Sequence, residues 1–427
     1  MKLVAGKSAL RGTVPIPASK SHTIRAVAIA ALAEGNSVIR NPLISGDTLS
    51  AVTCYRALGA RIDTSDDRAW KVEGTGGRPS APTEAIDVGN SGTSLRIAVS
   101  SAALCGGPGE VRLTGDDQIR QRPIGPLLRS LEQLGASARS DKGNDMAPVL
   151  ISGKLRGGTT EIECKTSQYL SSLLLAAPLA ENDTEIIVTL LNEPDYVQMT
   201  LDWLDRQGIR YERDELHRFK VYGKQKYRAF DLPIPADFSS ATFFLCAGAL
   251  LDADITLTGL DFSDSQPDKA VADYLRRMGA DISVQGDAVR VKTSQLRGVD
   301  IDMNKTPDAL PAMAVTGAFA RGLTRLLNVP QARIKETDRI ACMAAELGKL
   351  GIRTEELPDG LIVLRGEDPR PAELDGRSDH RIVMALSLAL MALEGTGRID
   401  TAEAIRVTFP EYVELMKRLG ARMELAD

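Results

Sequence analysis

Six times along the chain a short polar cluster opens a run of small apolar residues: SKSHTIRAVAIAALAEG from Ser19, NSGTSLRIAVSSAAL from Asn90, TSQYLSSLLLAAPLA from Thr166, DFSSATFFLCAGALL from Asp237, TPDALPAMAVTGAFA from Thr306 and SDHRIVMALSLALMALEG from Ser378. The spacing between openings is 69 to 76 residues. Polar residues on the first turn and apolar ones all round thereafter predict a capped, fully buried helix. Stretches such as NSVIRNP, GEVRLTG, TEIIVTLL and DITLTGL follow these runs and alternate like strands. A second register has nearly the same period. An amphipathic helix runs into a glycine and then a strand at Gly59, Gly135, Gly208, Gly279, Gly351 and Gly420, where a left-handed residue ends a helix at least steric cost.

Each unit therefore reads strand, apolar helix, strand, amphipathic helix, strand. A unit of about 70 residues cannot cover such a helix alone, so the units are expected to pack with helices inside and sheets outside. Pro233 and Pro235 mark a midpoint break near Ala236 and Asp237. This predicts an α/β protein of two domains with three repeats each, 19–236 and 1–18 plus 237–427, and a cleft between them.

Composition narrows the function. The 427 residues are 43% hydrophobic and 26% charged, which excludes disorder. Aromatics are only 4% and the net charge is −5, so neither a stacking platform for single strands nor a global pull toward nucleic acid or anionic membrane is expected. The five cysteines are scattered without ligand spacing, which predicts buried free thiols, no metal, and a reducing, cytoplasmic setting. The longest apolar run, 382–393, is too short for a span. Anionic ligands must therefore meet local cations. Lys20, Arg25, Arg96, Arg122, Lys335, Arg339 and Arg381 fall near the polar openings, where helix N-termini add partial positive charge. Pro123 is expected to open a helix just after Arg122. Each feature also has an ordinary explanation: capping for the hydroxyls and carboxylates, and solvent-exposed helical ion pairs for Lys335, Glu336 and Arg339. His22 and His380 read as surface or capping residues, and His217 as part of a polar hairpin.

At these residues the chain resembles the enolpyruvyl transferases, whose fold is an inside-out α/β barrel of two domains. SKSHTIRA, GNSGTSLR, RPIG, TSQYLSSLLLAAPL, PDALPA, KETDR, SDHR and TFPEY stand in that family's order over essentially the whole chain. The best match is to members that transfer the carboxyvinyl group of phosphoenolpyruvate to the 5-hydroxyl of shikimate 3-phosphate. The resemblance implies Asp308 as base on that hydroxyl, with Glu336 and Lys20 exchanging the proton at carbon 3. It places Lys20, Asn90, Gly92, Arg122, Gln168, Arg339 and Arg381 around phosphoenolpyruvate. Shikimate 3-phosphate falls to Lys20, Ser21, Arg25, Gln168, Tyr196, Asp308, Gln331 and Lys335, with Thr166 and Ser167 on its phosphate. It further implies no cofactor, no metal, no nucleic acid or membrane partner, a monomer, closure of the two halves around substrate, and sensitivity to glyphosate.

Three positions depart from the family pattern. Glu193 stands where a phosphate-binding serine is usual, Val407 replaces a lysine and leaves Arg406 one residue away, and Gln331 replaces asparagine. An acceptor without that phosphate is therefore an open alternative. So are a UDP-N-acetylglucosamine enolpyruvyl transferase, although Asp117 lies near the place of its loop cysteine, and a non-catalytic repeat scaffold.

Overall fold

The computed structural model describes residues 1–426. The protein has a mixed α/β fold that divides into two compact units, one formed by residues 18–234 and the other by the first 17 residues together with everything from Pro235 on. Each unit has its own apolar core.

Among the described residues there are six four-stranded sheets, three in each unit. Every sheet joins one parallel strand pair to two antiparallel neighbours. In the sheet of 158–221, for instance, Gly158–Cys164 pairs in parallel with Thr184–Leu191, which continues antiparallel to Arg218–Val221 and then Tyr211–Asp214. The expected unit had three strands. A fourth is present because the chain after the amphipathic helix turns back as a hairpin, as in Ala136–Ser140 against Val149–Gly153. The first residues belong with the C-terminal half. Lys2–Gly6 lies between Thr396–Asp400 and Arg422–Ala426, and Ala9–Pro15 pairs with Asp252–Thr258.

The apolar runs are helices buried on all sides. From His22 to Leu32 every residue of the Lys20–Leu32 helix is buried. The Gly92–Ala102 helix packs on it and on Ser167–Ala176. In the other unit His380–Ala392 packs on Leu310–Phe319 and Phe238–Leu250. Phe243, Phe244, Phe409 and Tyr412 form an aromatic cluster with centroids 5.7–6.1 Å apart. Each such side chain contributes about 1.5–3 kcal/mol through burial.

Helix ends follow local chemistry. Ser19, Ser91, Thr166, Asp237 and Asp379 each accept a backbone N–H of the first turn. Thr306 does not: the chain enters through a 3₁₀ turn, Pro307–Ala309, and the Thr306 hydroxyl reaches Tyr274 Oη at 3.3 Å instead. The cap of the second helix is Ser91 rather than Asn90. Pro123 opens no helix; the next begins at Gly125, with Arg122 closing a 3₁₀ turn. The glycines of the second register, 59, 135, 208, 279, 351 and 420, all take φ between 67° and 104°.

All five cysteines are free, four of them buried. Burial pushes the Cys54, Cys164 and Cys246 thiols up to about 12, so they are inert at neutral pH. Among the described residues no helix is long and apolar enough to cross a membrane, and no group of three or more potential ligands could hold a metal.

Candidate active site

In the unit of residues 18–234 the polar helix starts gather a set of cations. Lys20, in the first turn of its helix, lies 2.9 Å from the buried carboxylate of Asp47. Arg25, one turn on, is 2% exposed. Its guanidinium donates to Thr200 Oγ1 (2.9 Å), the Ser21 carbonyl (3.0 Å), the Tyr196 carbonyl (3.1 Å) and Ser171 Oγ (3.3 Å). Burial lowers its pKa to about 10, still far above neutrality, so it stays cationic. Arg96 donates to Gln168 Oε1 at 2.6 Å and to the Pro123 carbonyl at 3.2 Å, and lies over the Tyr169 ring. Gln168 in turn donates to Thr93 Oγ1.

Gly92 is a place of close approach. A Cβ there would lie 2.4 Å from Arg122 Nη1 and 3.0 Å from Arg96 Nη1. Lack of a side chain therefore lets two guanidinium groups meet the N-terminus of the Gly92–Ala102 helix. The Asn90 amide faces the same loop and donates to Asp116 Oδ2 at 2.6 Å and to Gln118. Thr166 Oγ1 and Ser167 sit at the start of the Ser167–Ala176 helix, and both donate to Glu193, which is 1% exposed.

The second unit centres on Arg339, also 1% exposed. Nε donates to Asp379 Oδ2 at 2.8 Å, Nη1 to Asp308 Oδ1 at 2.7 Å, and Nη2 to Glu336. Burial alone would lower the Arg339 pKa, but Asp379, Glu336 and Asp308 outweigh it and raise it. Burial likewise pushes the Asp379 carboxyl up, and Arg339 overrides that and holds it below the usual range. Arg381 reaches Asp308 Oδ2 at 3.0 Å and Ser239 Oγ at 2.8 Å. Lys335 Nζ lies 3.9 Å from Asp308 Oδ1.

The KETDR segment corrects the expected exposed helix. Lys335 to Asp338 precede the helix Arg339–Lys349, which Asp338 caps, so Lys335 and Glu336 turn toward Asp308 and Arg339 instead of solvent. His22 is not at the surface either: it is 1% exposed and its Nδ1 accepts from Trp203 Nε1 at 3.0 Å. His380 is buried as well, whereas His217 is exposed in the hairpin turn between Tyr211–Asp214 and Arg218–Val221. Gln331 is buried; its amide donates to the Asn304 carbonyl, and its Oε1 has no hydrogen-bond partner among the described residues. Arg406 is exposed and Val407 half-buried on the short helix Ile405–Thr408. Asp117 is exposed beside Arg120. Sequence reasoning missed Asp47 and Asp379, the anionic partners of Lys20 and Arg339. Asp379 lay in plain view inside SDHR, but as a helix cap.

A family model described as EPSP synthase (3-phosphoshikimate 1-carboxyvinyltransferase) matches residues 4–416. The chain is 53% identical over 427 residues to the 3-phosphoshikimate 1-carboxyvinyltransferase of Acetivibrio thermocellus, with all of both chains covered. It is 42% identical to that of Methanocaldococcus jannaschii, with 97% of each covered. The structure of EPSP synthase from Acinetobacter baumannii superposes over the whole of both chains with a TM-score of 0.83 at 26% identity. The enolpyruvyl transferase NikO from Streptomyces tendae shares the fold, with a TM-score of 0.77 at 22% identity over 99% of this chain and 98% of its own. With a family model matched from residue 4 to 416 and relatives this similar along the whole chain, the chain belongs to the EPSP synthase family.

Proposed function

We propose that the protein transfers the enolpyruvyl group of phosphoenolpyruvate to the 5-hydroxyl of shikimate 3-phosphate, releasing phosphate, as the 3-phosphoshikimate 1-carboxyvinyltransferase of the shikimate pathway. The observation that carries the reading is the Arg339 cluster, in which two carboxylates, Asp308 and Glu336, share one buried guanidinium. The reaction needs a base for the hydroxyl and an acid for carbon 3, held close together. Asp308 takes the hydroxyl proton while the oxygen bonds to carbon 2 of phosphoenolpyruvate. Carbon 3 gains a proton from Glu336 or Lys20, which gives a tetrahedral adduct. The adduct then loses that proton and expels phosphate. Arg339 and Arg381, each within 3.0 Å of an Asp308 oxygen, hold that carboxylate in place.

Arg122, Arg339 and Arg381 clamp phosphoenolpyruvate, since guanidinium forks match carboxylate and phosphate oxygens. Asn90, Gly92, Lys20 and Gln168 complete that site. The acceptor is held by Ser21, Arg25, Gln168, Tyr196, Gln331 and Lys335, with its phosphate at Thr166 and Ser167. These residues come from both units, which the reading takes as two domains of three repeats each. The sheets that share one strand pattern support six repeats in an inside-out barrel. The reading takes the protein to be a monomer of the cytoplasm.

Phosphate release from phosphoenolpyruvate, measured with shikimate 3-phosphate, shikimate and UDP-N-acetylglucosamine offered separately, tests the reading. Release is expected with the first acceptor. Release with UDP-N-acetylglucosamine alone would overturn the assignment.

A further inference from the structure

Glu193 is the one buried acid of its unit whose place conflicts with the proposed reaction. It precedes the helix Pro194–Arg206 in a left-handed conformation, φ 59° and ψ 49°, that a residue with a side chain adopts only under constraint. It makes no side-chain cap to that helix. Instead one of its oxygens, Oε2, accepts from Ser167 Oγ at 2.7 Å, Thr166 Oγ1 at 3.0 Å and the Ser167 backbone N–H at 3.1 Å. Its neighbour Asn192 is pinned, the backbone N–H to the Cys164 carbonyl at 3.1 Å and Nδ2 to the Lys165 carbonyl at 3.3 Å. These bonds anchor the main chain next to the turn that leads into Ser167, so a displacement of the carboxylate falls to the Glu193 side chain.

Thr166 and Ser167 each carry a single hydroxyl hydrogen. Both hydrogens, and the Ser167 N–H beside them, point at the Glu193 carboxylate. The reading above gives the same three donors to the phosphate of the acceptor. One hydrogen cannot serve both anions well, and two anions at one helix N-terminus repel. We propose that Glu193 is a built-in competitor for the acceptor phosphate: it holds the subsite in the acceptor-free enzyme and must swing aside when the phosphorylated acceptor binds. It thus sets the affinity for the phosphorylated acceptor and lets a non-phosphorylated acceptor, or none, leave the corner undisturbed. The proposal rests on the reading of the acceptor as shikimate 3-phosphate.

The test is steady-state phosphate release by the full-length protein and by Glu193→Ser and Glu193→Gln, with shikimate 3-phosphate and with shikimate as acceptors. Removal of the competing carboxylate is expected to lower the KM for shikimate 3-phosphate by about tenfold or more in Glu193→Ser, the effect of one charge-assisted hydrogen bond regained. A smaller fall is expected in Glu193→Gln, which keeps the volume and serves if the serine variant does not fold. The KM values for shikimate and for phosphoenolpyruvate should stay within about twofold. A purely structural role, with Glu193 only capping the neighbouring helix, would lower thermal stability without improving the phosphorylated acceptor. A KM for shikimate 3-phosphate that is unchanged or raised in both variants overturns the competitor. Turnover of shikimate without any turnover of its phosphate, in the unsubstituted protein and both variants, overturns the underlying reading instead.

Discussion

Arg25 and Arg339 are both almost fully buried guanidinium groups, yet the two units treat them differently. Arg25 donates to two hydroxyls and two carbonyls, all neutral. Arg339 donates to three carboxylates. A buried cation satisfied by neutral acceptors keeps its charge uncompensated and available to an anion, whereas a cation shared among carboxylates is compensated by them and orients them. The first arrangement leaves a charge for an incoming anion, and the second fixes three carboxylates around one guanidinium. Lys20 belongs to the first unit by sequence but to the second type by chemistry, through its pair with Asp47.

The contrast predicts effects of different kind and size. Asp308→Asn removes the proposed base while leaving the shape of the Arg339 cluster, so kcat should fall by about 10³-fold, measured as phosphate release at saturating substrates. A residual rate above a tenth of the original would remove Asp308 from the proton transfer.

Asp379→Asn takes one of three carboxylate charges from around Arg339 and should destabilise the protein by about 2 kcal/mol, the weight of a hydrogen bond to a charged group, read from the midpoint of urea unfolding. The pH dependence has a defined sign. Arg339 holds the Asp379 carboxyl below its unfolded value. The stability from the pair is therefore fully present above about pH 4, the ordinary range of an unfolded aspartate. It is lost as pH falls through the lower folded value. The substituted protein should lose this acid-dependent part, and an identical acid-unfolding profile would count against the pairing as a source of stability.

The smallest effect is expected in the first unit. Gly92→Ala puts a methyl against Arg122 Nη1 and Arg96 Nη1, whose flexible ends can shift rather than clash outright. The KM for phosphoenolpyruvate should rise by about tenfold, the weight of one displaced charge-assisted contact, with the KM for the acceptor little changed. Equal effects on both substrates would mean that Gly92 shapes the whole unit and not one contact.

Much of the scaffold was legible in the sequence because its signals are local. A glycine that must take positive φ announces itself at the end of each amphipathic helix, and the apolar runs announce helices with no exposed face. Where local signals were overridden, the cause can be named. Thr306 looks like a cap, but a 3₁₀ turn follows it and its hydroxyl turns to Tyr274 Oη. KETDR has helical spacing, but the Asp338 cap delays the helix to Arg339 and frees Lys335 and Glu336 to turn toward their partners. The partners themselves were not legible. Asp379 lies 40 positions from Arg339, and Glu193 lies 26 from Ser167. No periodicity links residues so far apart; only the stacking of neighbouring helices brings them together. The family pattern marked Glu193 as unusual, and the structure adds where its carboxylate goes.

The division of labour between the two kinds of buried arginine is tested most directly by equilibrium titration of shikimate 3-phosphate into Asp308→Asn. If most of the grip on the acceptor, its phosphate included, comes from the first unit and the Arg339 cluster serves the chemistry, the dissociation constant should stay within about tenfold of the unsubstituted protein, the loss of one hydrogen bond to a charged group, although turnover has collapsed. Binding that falls in step with turnover, by about 10³-fold, would contradict the division and make the Arg339 cluster part of the grip on the acceptor.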